Sequence, residues 1–501
     1  MDTNKIPAQT VSVKKRKWLP YAILSVSFVI CLFQLRSLDN DFYFLYATGD
    51  YITKHGFPYS DMLSMHSAMK IVVQQWLSDI IFYYVYSLFG EFGIYTVVYL
   101  CYAGICLLTY RLIHLISDNK LLAAIVSAVV CFLLFDPFIV TRPQIFTYIV
   151  LLAEVCLLEK HAKTNDIKPL IAIPFLSLLL INLHAAMWAL ILVFMIPFLL
   201  GSIPLHIKSL DLKPSGKPLA IIITMAFSLI AGILNPYSID GMLYLTSSYG
   251  QDNLSMISEM SPTSLDCSEG KMFFIVASVI LLIAFFRRKI QFSARFFCLF
   301  AGTLTLGLLQ IKGIPYFFLI GVPASTYLLK DIEFSKLKSP LKNTLTKTTK
   351  VLIGIFLSLI IVWLCEARFF VTAEIINDKK IYLDRLDNAI AIMNESDEPV
   401  VLYTNFNDGQ YLEFHGYHPY IDGRAELFLF KNNHYYDYFY EYTNLLGGYT
   451  YYRDFTDKYG FNYLIVNSRD DSHLYSCLLR DDDFELIYST PDVNLFKRVE
   501  K

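Results

Sequence analysis

Long apolar segments constrain this chain more than any other feature. A helix that crosses a bilayer needs about 20 mostly apolar residues, and polar ends allow a somewhat shorter segment. About eleven segments meet this condition, at 19–37, 94–115, 120–136, 144–159, 169–184, 186–203, 218–234, 271–287, 292–310, 314–330 and 350–369. The sequence therefore predicts a mainly α fold, a polytopic helical membrane bundle.

The composition excludes an ordinary soluble protein. Hydrophobic residues make up 55% of the 501 residues and charged residues 17%, with a mean hydropathy of +0.46, whereas soluble domains contain about 25% charged residues. The net charge is −2 and the chain has no basic block, so no nucleic-acid partner is indicated. The nine cysteines form no CxxC pair, which argues against a zinc site or a disulfide framework.

Basic residues fall on alternate loops between the apolar segments. Starting from the basic N-terminus at 1–18, every second loop is rich in Lys and Arg, and the loops between them are nearly free of both. The basic loops carry Arg111 and Lys120; Lys160, Lys163 and Lys168; Lys208, Lys213 and Lys217; Arg287, Arg288 and Lys289; and Lys330, Lys336, Lys338, Lys342, Lys347 and Lys350. Since cytoplasmic loops carry the excess of positive charge, we predict a multi-pass protein of the cell membrane. Its N-terminus is then a cytoplasmic, uncleaved anchor, and its C-terminus is extracytoplasmic.

The last part of the chain, 371–501, differs in composition from the predicted membrane domain at 19–370. Its apolar runs are short, and strand-like stretches alternate with helix-like ones. The strand-like stretches are 400–403, 463–466 and 484–488, and the helix-like ones lie near 430–446 and 470–480. This pattern predicts a small extracytoplasmic α/β domain, large enough for its own core.

Polar residues at the ends of the apolar segments gather on the outer side of this topology. The first outer loop, 38–75, holds an acidic pair, Asp39 and Asp41, and is followed by a short amphipathic segment, 76–89, which we expect to lie along the membrane interface. The full set is Asp39, Asp41, Asp50, Gln74, Gln75, Asp79, Arg142, Gln144, Asn182, His184, Asn235, Glu259 and Lys312. Each alone is commonly a helix cap or a snorkelling anchor, but their one-sidedness predicts an outward-opening cavity.

Two further residues have alternative explanations. His184 follows Asn182 at a helix end, where a histidine is more often hydrogen-bonded within the structure than a ligand for substrate. Arg424 follows Asp422 and Gly423, so it either forms a local ion pair at a turn or faces the membrane domain and helps to bind an acceptor.

Carboxylates beside isolated cations suit the transfer of a group from a lipid phosphate to a hydroxyl. A carboxylate base takes the hydroxyl proton, and Arg, Lys or a metal stabilises the charge that develops on the departing phosphate. A proton-coupled transporter also uses intramembrane carboxylates, but it places charges near the middle of the bilayer. The predicted spans hold few charges, with Glu154 the main acidic residue among them.

A series of short motifs, in chain order, resembles a broad bacterial family of polytopic membrane proteins related to the GT-C glycosyltransferases, which use polyprenyl-phosphate-linked sugars. The motifs are Asp39-Asn-Asp41-Phe-Tyr-Phe-Leu-Tyr-Ala-Thr-Gly49, His55-Gly56, Pro58, Asp61, Ser64, Gln75-Trp76-Leu77, Arg142-Pro143-Gln144, Asn182-Leu-His184, Asn235-Pro236-Tyr237, Lys312-Gly-Ile-Pro315 and Tyr420-Ile-Asp422-Gly423-Arg424. They cover nearly the whole chain. Leu45 stands where the family usually has His, and Gln75 where it has Glu.

The resemblance implies a GT-C-like membrane glycosyltransferase, inverting, that moves a hexose or pentose from a polyprenyl-phosphate donor to an extracytoplasmic acceptor. The catalytic acid of the first outer loop then falls on Asp41, with Asp39 in support. A divalent metal at Asp39 and Asp41 remains an open alternative. We expect the substrate to be bound by Arg142, Lys312, His184, Gln75, Glu259 and Arg424.

The rival hypothesis is a non-catalytic relative whose outer domain binds a glycan or a protein partner. The residues Leu45 and Gln75 favour it, because they replace an imidazole and a carboxylate beside the proposed site. The two hypotheses differ in whether the acidic pair, Arg142 and Lys312 meet at one cavity.

Overall fold

The computed structural model describes residues 18–32, 37–207, 210–212, 214–248, 258–287, 292–330 and 347–499. The basic N-terminus before residue 18 and parts of three basic loops, at 208–209 and 213, 288–291 and 331–346, lie outside the described residues. The orientation predicted from loop charges therefore stays a prediction.

Helices form most of the described chain, because the apolar segments satisfy their backbone hydrogen bonds internally. In chain order the α-helices are α1 (Leu19–Leu32), α2 (Asp41–His55), α3 (Trp76–Ser117), α4 (Lys120–Phe138), α5 (Gln144–Thr164), α6 (Ile173–Leu183), α7 (Ala189–Gly201), α8 (Pro218–Ile233), α9 (Ser238–Ser248), α10 (Ser268–Phe286), α11 (Ala294–Leu309), α12 (Ile314–Tyr316), α13 (Val322–Ser325), α14 (Lys347–Asn394), α15 (Gly409–Phe414), α16 (Phe430–Asn433), α17 (Tyr438–Leu446), α18 (Tyr452–Tyr459) and α19 (Ser472–Leu478). A π-helical turn, Phe317–Gly321, joins α12 to α13.

Among the described residues, three helices are long and apolar enough to cross a membrane: α3, α4 and α10. A fourth candidate is the pair of α8 and the start of α9, which is bent by 115° between Ile233 and Ser238. Four more apolar segments are shorter, at 10–17 residues: Leu19–Leu32, Lys168–Leu183, Ala185–Gly201 and Ala294–Leu309. The mainly α fold is confirmed, whereas the prediction of about eleven spans stays a prediction.

Helix α3 consists of two helices joined at Gly90. This residue has φ 60° and ψ −155°, a backbone conformation outside the helical region and in the range of φ that favours glycine. The part before Gly90 coincides with the amphipathic segment predicted at 76–89. Its break from the apolar helix that follows allows the two parts to run in different directions.

The C-terminal region forms an α/β unit around a four-stranded sheet. The strands are β3 (Leu402–Tyr403), β4 (Tyr463–Val466), β5 (Phe484–Ser489) and β6 (Asn494–Arg498), after a small hairpin of β1 (Leu205–Ile207) and β2 (Leu210–Leu212) earlier in the chain. The sheet order is β3-β4-β6-β5, with β3 and β4 parallel and the other two pairs antiparallel. The three predicted strand-like stretches correspond to β3, β4 and β5, and β6 is an additional strand.

The long helix α14 leads into this unit without a break. The domain boundary predicted at 370/371 falls inside this helix. The division into domains stays a prediction.

The first outer loop is packed into the C-terminal unit. Phe42 of α2 and Phe82 of α3 share a buried apolar cluster with Leu386 of α14 and Tyr463 of β4. A second cluster, at the centre of the C-terminal unit, takes in Met69 from the same loop. The outer loop and the C-terminal unit therefore bury their apolar side chains against each other, and the loop is held in a fixed position.

Candidate functional site

The acidic pair lies at the N-terminus of α2. Asp39 Oδ1 accepts the backbone N–H of Asp41 at 3.1 Å, and the backbone carbonyl of Asp39 accepts the N–H of Phe42 at 3.1 Å. The backbone N–H of Asp39 donates to Thr141 Oγ1 at 2.8 Å, which ties the pair to the turn before α5. The exposed N–H groups of a helix N-terminus carry partial positive charge, so this position stabilises both carboxylates.

Arg142 is the cation that the carboxylates share. Its Nε lies 2.7 Å from Asp39 Oδ1 and 3.1 Å from Asp41 Oδ2, and its Nη1 lies 3.0 Å from both carboxylate oxygens of Glu259. The side chain of Arg142 is 17% exposed. One guanidinium therefore neutralises charge on three carboxylates that otherwise repel one another.

Lys312 extends this cluster through Glu259. Its Nζ lies 3.5 Å from Glu259 Oε2. The two residues meet because the irregular segment after Glu259 is hydrogen-bonded to the turn that carries Lys312, with the N–H of Ile311 donating to the carbonyl of Ser261 at 3.2 Å. The cluster thus has three carboxylates and two cations.

The protonated and ionised forms of Asp41 have similar populations near neutral pH. Burial raises its pKa to about 7, with Asp39 and Glu259 acting in the same direction and Arg142 and Lys312 acting against it. A carboxyl group with such a pKa is available both as a proton acceptor and as a proton donor at physiological pH.

A cavity of about 800 Å³ opens beside the cluster. Asp41 and Lys312 line it, and Arg142 and Asp39 lie directly behind Asp41 through their contacts with it. The remaining wall comes from Tyr59, His184 and residues within 44–48, 70–79, 143–144, 236–244 and 423–434. The cavity therefore lies where the first outer loop, the helix ends and the C-terminal unit meet.

His184 and Gln75 lie on the same cavity. His184 is buried and lines the cavity, and its Nδ1 shares a hydrogen bond of 2.8 Å with Thr147 Oγ1. Gln75 is also buried and lines the cavity, and the carbonyl of Gln74 accepts the N–H of Ala185 at 2.7 Å. The histidine thus has a partner in the structure, as the simpler explanation expects, and yet it borders the space available to a ligand.

Arg424 both forms the local ion pair and reaches the first outer loop. Its Nη2 lies 2.6 Å from Asp422 Oδ2 and 3.1 Å from Glu413 Oε1, and its Nη1 lies 2.7 Å from Asp61 Oδ1. Asp61 is fixed in turn by the hydroxyl and the N–H of Ser64. Arg424 also lines the cavity, so the two alternatives from the sequence are compatible.

Lys379 is a neighbour of the acidic pair that the sequence did not reveal. It lies on α14, and its ammonium group donates to the carbonyl of Leu38 and, at 2.8 Å, to Asn40 Oδ1. Burial lowers its pKa, against the effect of Asp39 and Asp41. No short motif surrounds Lys379, and only the contact between α14 and the first outer loop brings it to the site.

The carboxylates around Arg142 are poorly placed to bind a metal ion. Within the described ranges, no group of three His, Cys, Asp or Glu side chains is close enough to hold one. Asp39, Asp41 and Glu259 converge on the guanidinium of Arg142, so a divalent ion would have to displace a bound cation. No step below uses a metal.

No protein-family profile and no curated protein sequence matches the chain. Its fold is similar to that of the oligosaccharyltransferase of Archaeoglobus fulgidus. The crystal structure of that protein tethered to an acceptor peptide with an NVT sequon gives a TM-score of 0.57 at 10% identity, covering 97% of this chain and 74% of that one. The apo form gives 0.54 at 10% identity, covering 90% and 70%. At this identity the likeness establishes the fold alone, which is mainly helical with a small C-terminal sheet.

Proposed function

We propose that the protein is an integral membrane glycosyltransferase that moves a sugar from a polyprenyl-phosphate donor to an extracytoplasmic acceptor, such as a cell-envelope glycan, lipid or protein. The fold shared with an oligosaccharyltransferase supports glycosyl transfer at a membrane. The N-terminus would be cytoplasmic, and the cavity and C-terminal unit would face outwards.

One observation carries the proposal: a carboxylate with a pKa of about 7 and a lysine line the same cavity. Asp41 and Lys312 are distant in sequence and line this space together, and Arg142 contacts Asp41 from behind the cavity wall. A lipid-linked donor needs a site that a membrane lipid can reach, and the cavity borders helix ends such as the start of α5 and the turn between α8 and α9.

The chemistry is a direct displacement. Asp41 takes the proton from the acceptor hydroxyl as its oxygen forms a bond to the anomeric carbon of the donor sugar. The bond between that carbon and the phosphate oxygen breaks, and the electron pair leaves with the polyprenyl phosphate. Lys312 and Arg142 stabilise the negative charge that develops there. One base and no covalent nucleophile imply inversion at the anomeric carbon.

The test is a transfer assay with purified full-length protein and a panel of polyprenyl-phosphate hexoses and pentoses. Wild type is expected to release polyprenyl phosphate with at least one donor, and Asp41→Asn is expected to lose about 10²- to 10⁴-fold of that rate, the usual contribution of a general base. Asp50→Asn is the matched control, because Asp50 lies on the same helix and pairs with Lys54 at the surface. Equal turnover by Asp41→Asn would remove this residue from the mechanism.

A second candidate function is a non-catalytic membrane protein that binds a glycan or a protein partner. It is favoured by the full engagement of Arg142, whose contacts with Asp39, Asp41 and Glu259 leave little of the guanidinium for a phosphate. A protein that binds saccharide but releases no polyprenyl phosphate from any donor of the panel would support it.

A further inference from the structure

Asp79 is a buried carboxylate for which the proposed reaction has no use. It lies in the first turn of α3, its side chain is fully buried, and it forms part of the cavity wall. Within the described part of the chain, neither of its carboxylate oxygens has a hydrogen-bond partner. Such a group is costly in a native protein and requires an explanation.

Two further acceptors border the same cavity. The side-chain oxygens of Gln74 and Gln144 are buried and, among the residues described, also have no hydrogen-bond partner. These three residues of the wall therefore carry a carboxyl group and two amide oxygens whose capacity to accept hydrogen bonds is unused within the described part of the chain. A ligand that matches it must bring several donors.

The position of Asp79 separates it from the reacting bond. Its backbone carbonyl packs against Gly49 so closely that a Cβ on Gly49 would lie 2.3 Å from it. Gly49 and Asp41 are eight residues apart on α2, which corresponds to about 12 Å along the helix axis. A ligand that reaches both carboxylates must therefore extend well beyond the group that Asp41 activates.

We propose that Asp79, Gln74 and Gln144 form a saccharide subsite that binds the hydroxyl groups of a sugar ring remote from the reacting bond. The proposal rests on the glycosyl transfer described above and adds to it that the substrate carries more than one sugar ring. Saccharide hydroxyls are favoured over a divalent cation, because one carboxylate beside two neutral amides, with Arg424 on the same cavity, is a weak cation site.

The first readout is binding. Purified full-length protein in detergent would be titrated with hexoses, N-acetylhexosamines, uronic acids and their disaccharides, and also with Mg²⁺, Ca²⁺ and Mn²⁺ alone. Wild type is expected to bind at least one saccharide of the panel, and Asp79→Asn is expected to bind it at least tenfold more weakly, because a charge-assisted hydrogen bond is lost.

The second readout is thermal stability without ligand. Burial raises the pKa of Asp79 well above its ordinary value, so its side chain is neutral without ligand. Asp79→Asn is therefore expected to melt close to wild type, which separates a loss of binding from a loss of folding. Glu154→Gln is the matched control: Glu154 on α5 is equally buried and both its oxygens are also unpaired among the described residues, but it does not line the cavity. It is expected to melt close to wild type and to bind saccharide as wild type does.

In the binding and melting measurements, three results would overturn the subsite: equal saccharide binding by Asp79→Asn, no saccharide bound by wild type, or protection by a divalent cation alone that is lost in Asp79→Asn. The proposed subsite and the proposed transfer reaction can be disproved independently of each other. Saccharide binding that depends on Asp79, in a protein that transfers no sugar, supports the subsite and removes the transferase. Transfer that is indifferent to Asp79→Asn keeps the transferase and removes the subsite.

Discussion

At the scale of single residues, the site depends on the sharing of one guanidinium. Three carboxylates within reach of one another would normally shift to their neutral forms or move apart. Arg142 holds them together and leaves Asp41 with one edge on the cavity and a pKa of about 7. The residue types and their order along the chain predicted that Asp39 or Asp41, Arg142 and Lys312 line one cavity; Asp41 and Lys312 do, whereas Arg142 lies behind Asp41. The sequence could not predict Lys379 or the partnership of Arg142 with Glu259, because both depend on how distant helix ends and turns pack.

Lys312 provides the prediction at this scale. Lys312→Gln removes the cation that lines the cavity, and we expect the transfer rate to fall about 10²-fold, as when one stabilising donor is removed from a developing charge. The measurement is kcat with the donor found in the panel. Lys271→Gln is the control, since Lys271 is exposed near the start of α10 and does not line the cavity. If Lys312→Gln and Lys271→Gln have the same kcat for transfer, the phosphate is bound elsewhere.

At the scale of elements, the close approach of α2 and α3 fixes the cavity floor. Gly49 allows α2 to contact the backbone of Asp79, and the buried aromatic side chains Phe42 and Phe82 pack beside it, with ring centroids 6.2 Å apart. The apolar helices were predicted from long apolar segments of the sequence. Their exact ends did not, because α14 continues past the predicted boundary and α3 takes in both a short amphipathic segment and an apolar one. Strand β6, which carries Lys497 and Arg498, lacks the apolar run that revealed the other strands.

Gly49→Ala tests this contact. The added methyl group would meet the carbonyl of Asp79, so we expect a loss of about 1–3 kcal/mol in the free energy of unfolding, the usual cost of overpacking. Thermal melting of the purified protein measures it. Gly302→Ala is the matched control, because Gly302 is also inside a helix but a Cβ there meets nothing within 4 Å. Its stability is expected to be unchanged or higher. Equal melting temperatures for the two variants would contradict the close approach.

At the scale of the whole molecule, the outer loop and the C-terminal unit form one wall of the cavity. Tyr43 of α2 packs edge-on against Tyr411 of α15 at 4.9 Å between ring centroids, and Arg424 joins Asp61 of the loop to Asp422 and Glu413 of the C-terminal unit. The sequence predicted a separate α/β domain and suggested a contact through Arg424. It could not show that the loop is part of the domain core, since apolar residues in a loop do not indicate their partners.

Arg424→Gln tests the contact between the first outer loop and the C-terminal unit. The variant leaves the buried carboxylates of Asp61, Asp422 and Glu413 without their cation, so we expect a loss of about 3–5 kcal/mol in the free energy of unfolding. Arg498→Gln removes an ion pair with Asp457 at the surface and is expected to cost about 0–1 kcal/mol. The melting temperatures of the two variants measure the difference. If Arg424→Gln melts at the same temperature as Arg498→Gln, the buried cluster does not hold the loop in place.

The most direct measurement of the central claim is the pH dependence of kcat/KM for the transfer reaction between pH 5 and 9. Asp41 is the base only when ionised, and its pKa of about 7 reflects burial and the neighbouring Asp39 and Glu259, opposed by Arg142 and Lys312. The rate should therefore rise about tenfold per pH unit below pH 7 and level off above it. Asp50→Asn should keep this profile, and the residual activity of Asp41→Asn should lose it. A flat profile in wild type, or the same profile in Asp41→Asn, would contradict the assignment of Asp41 as the base.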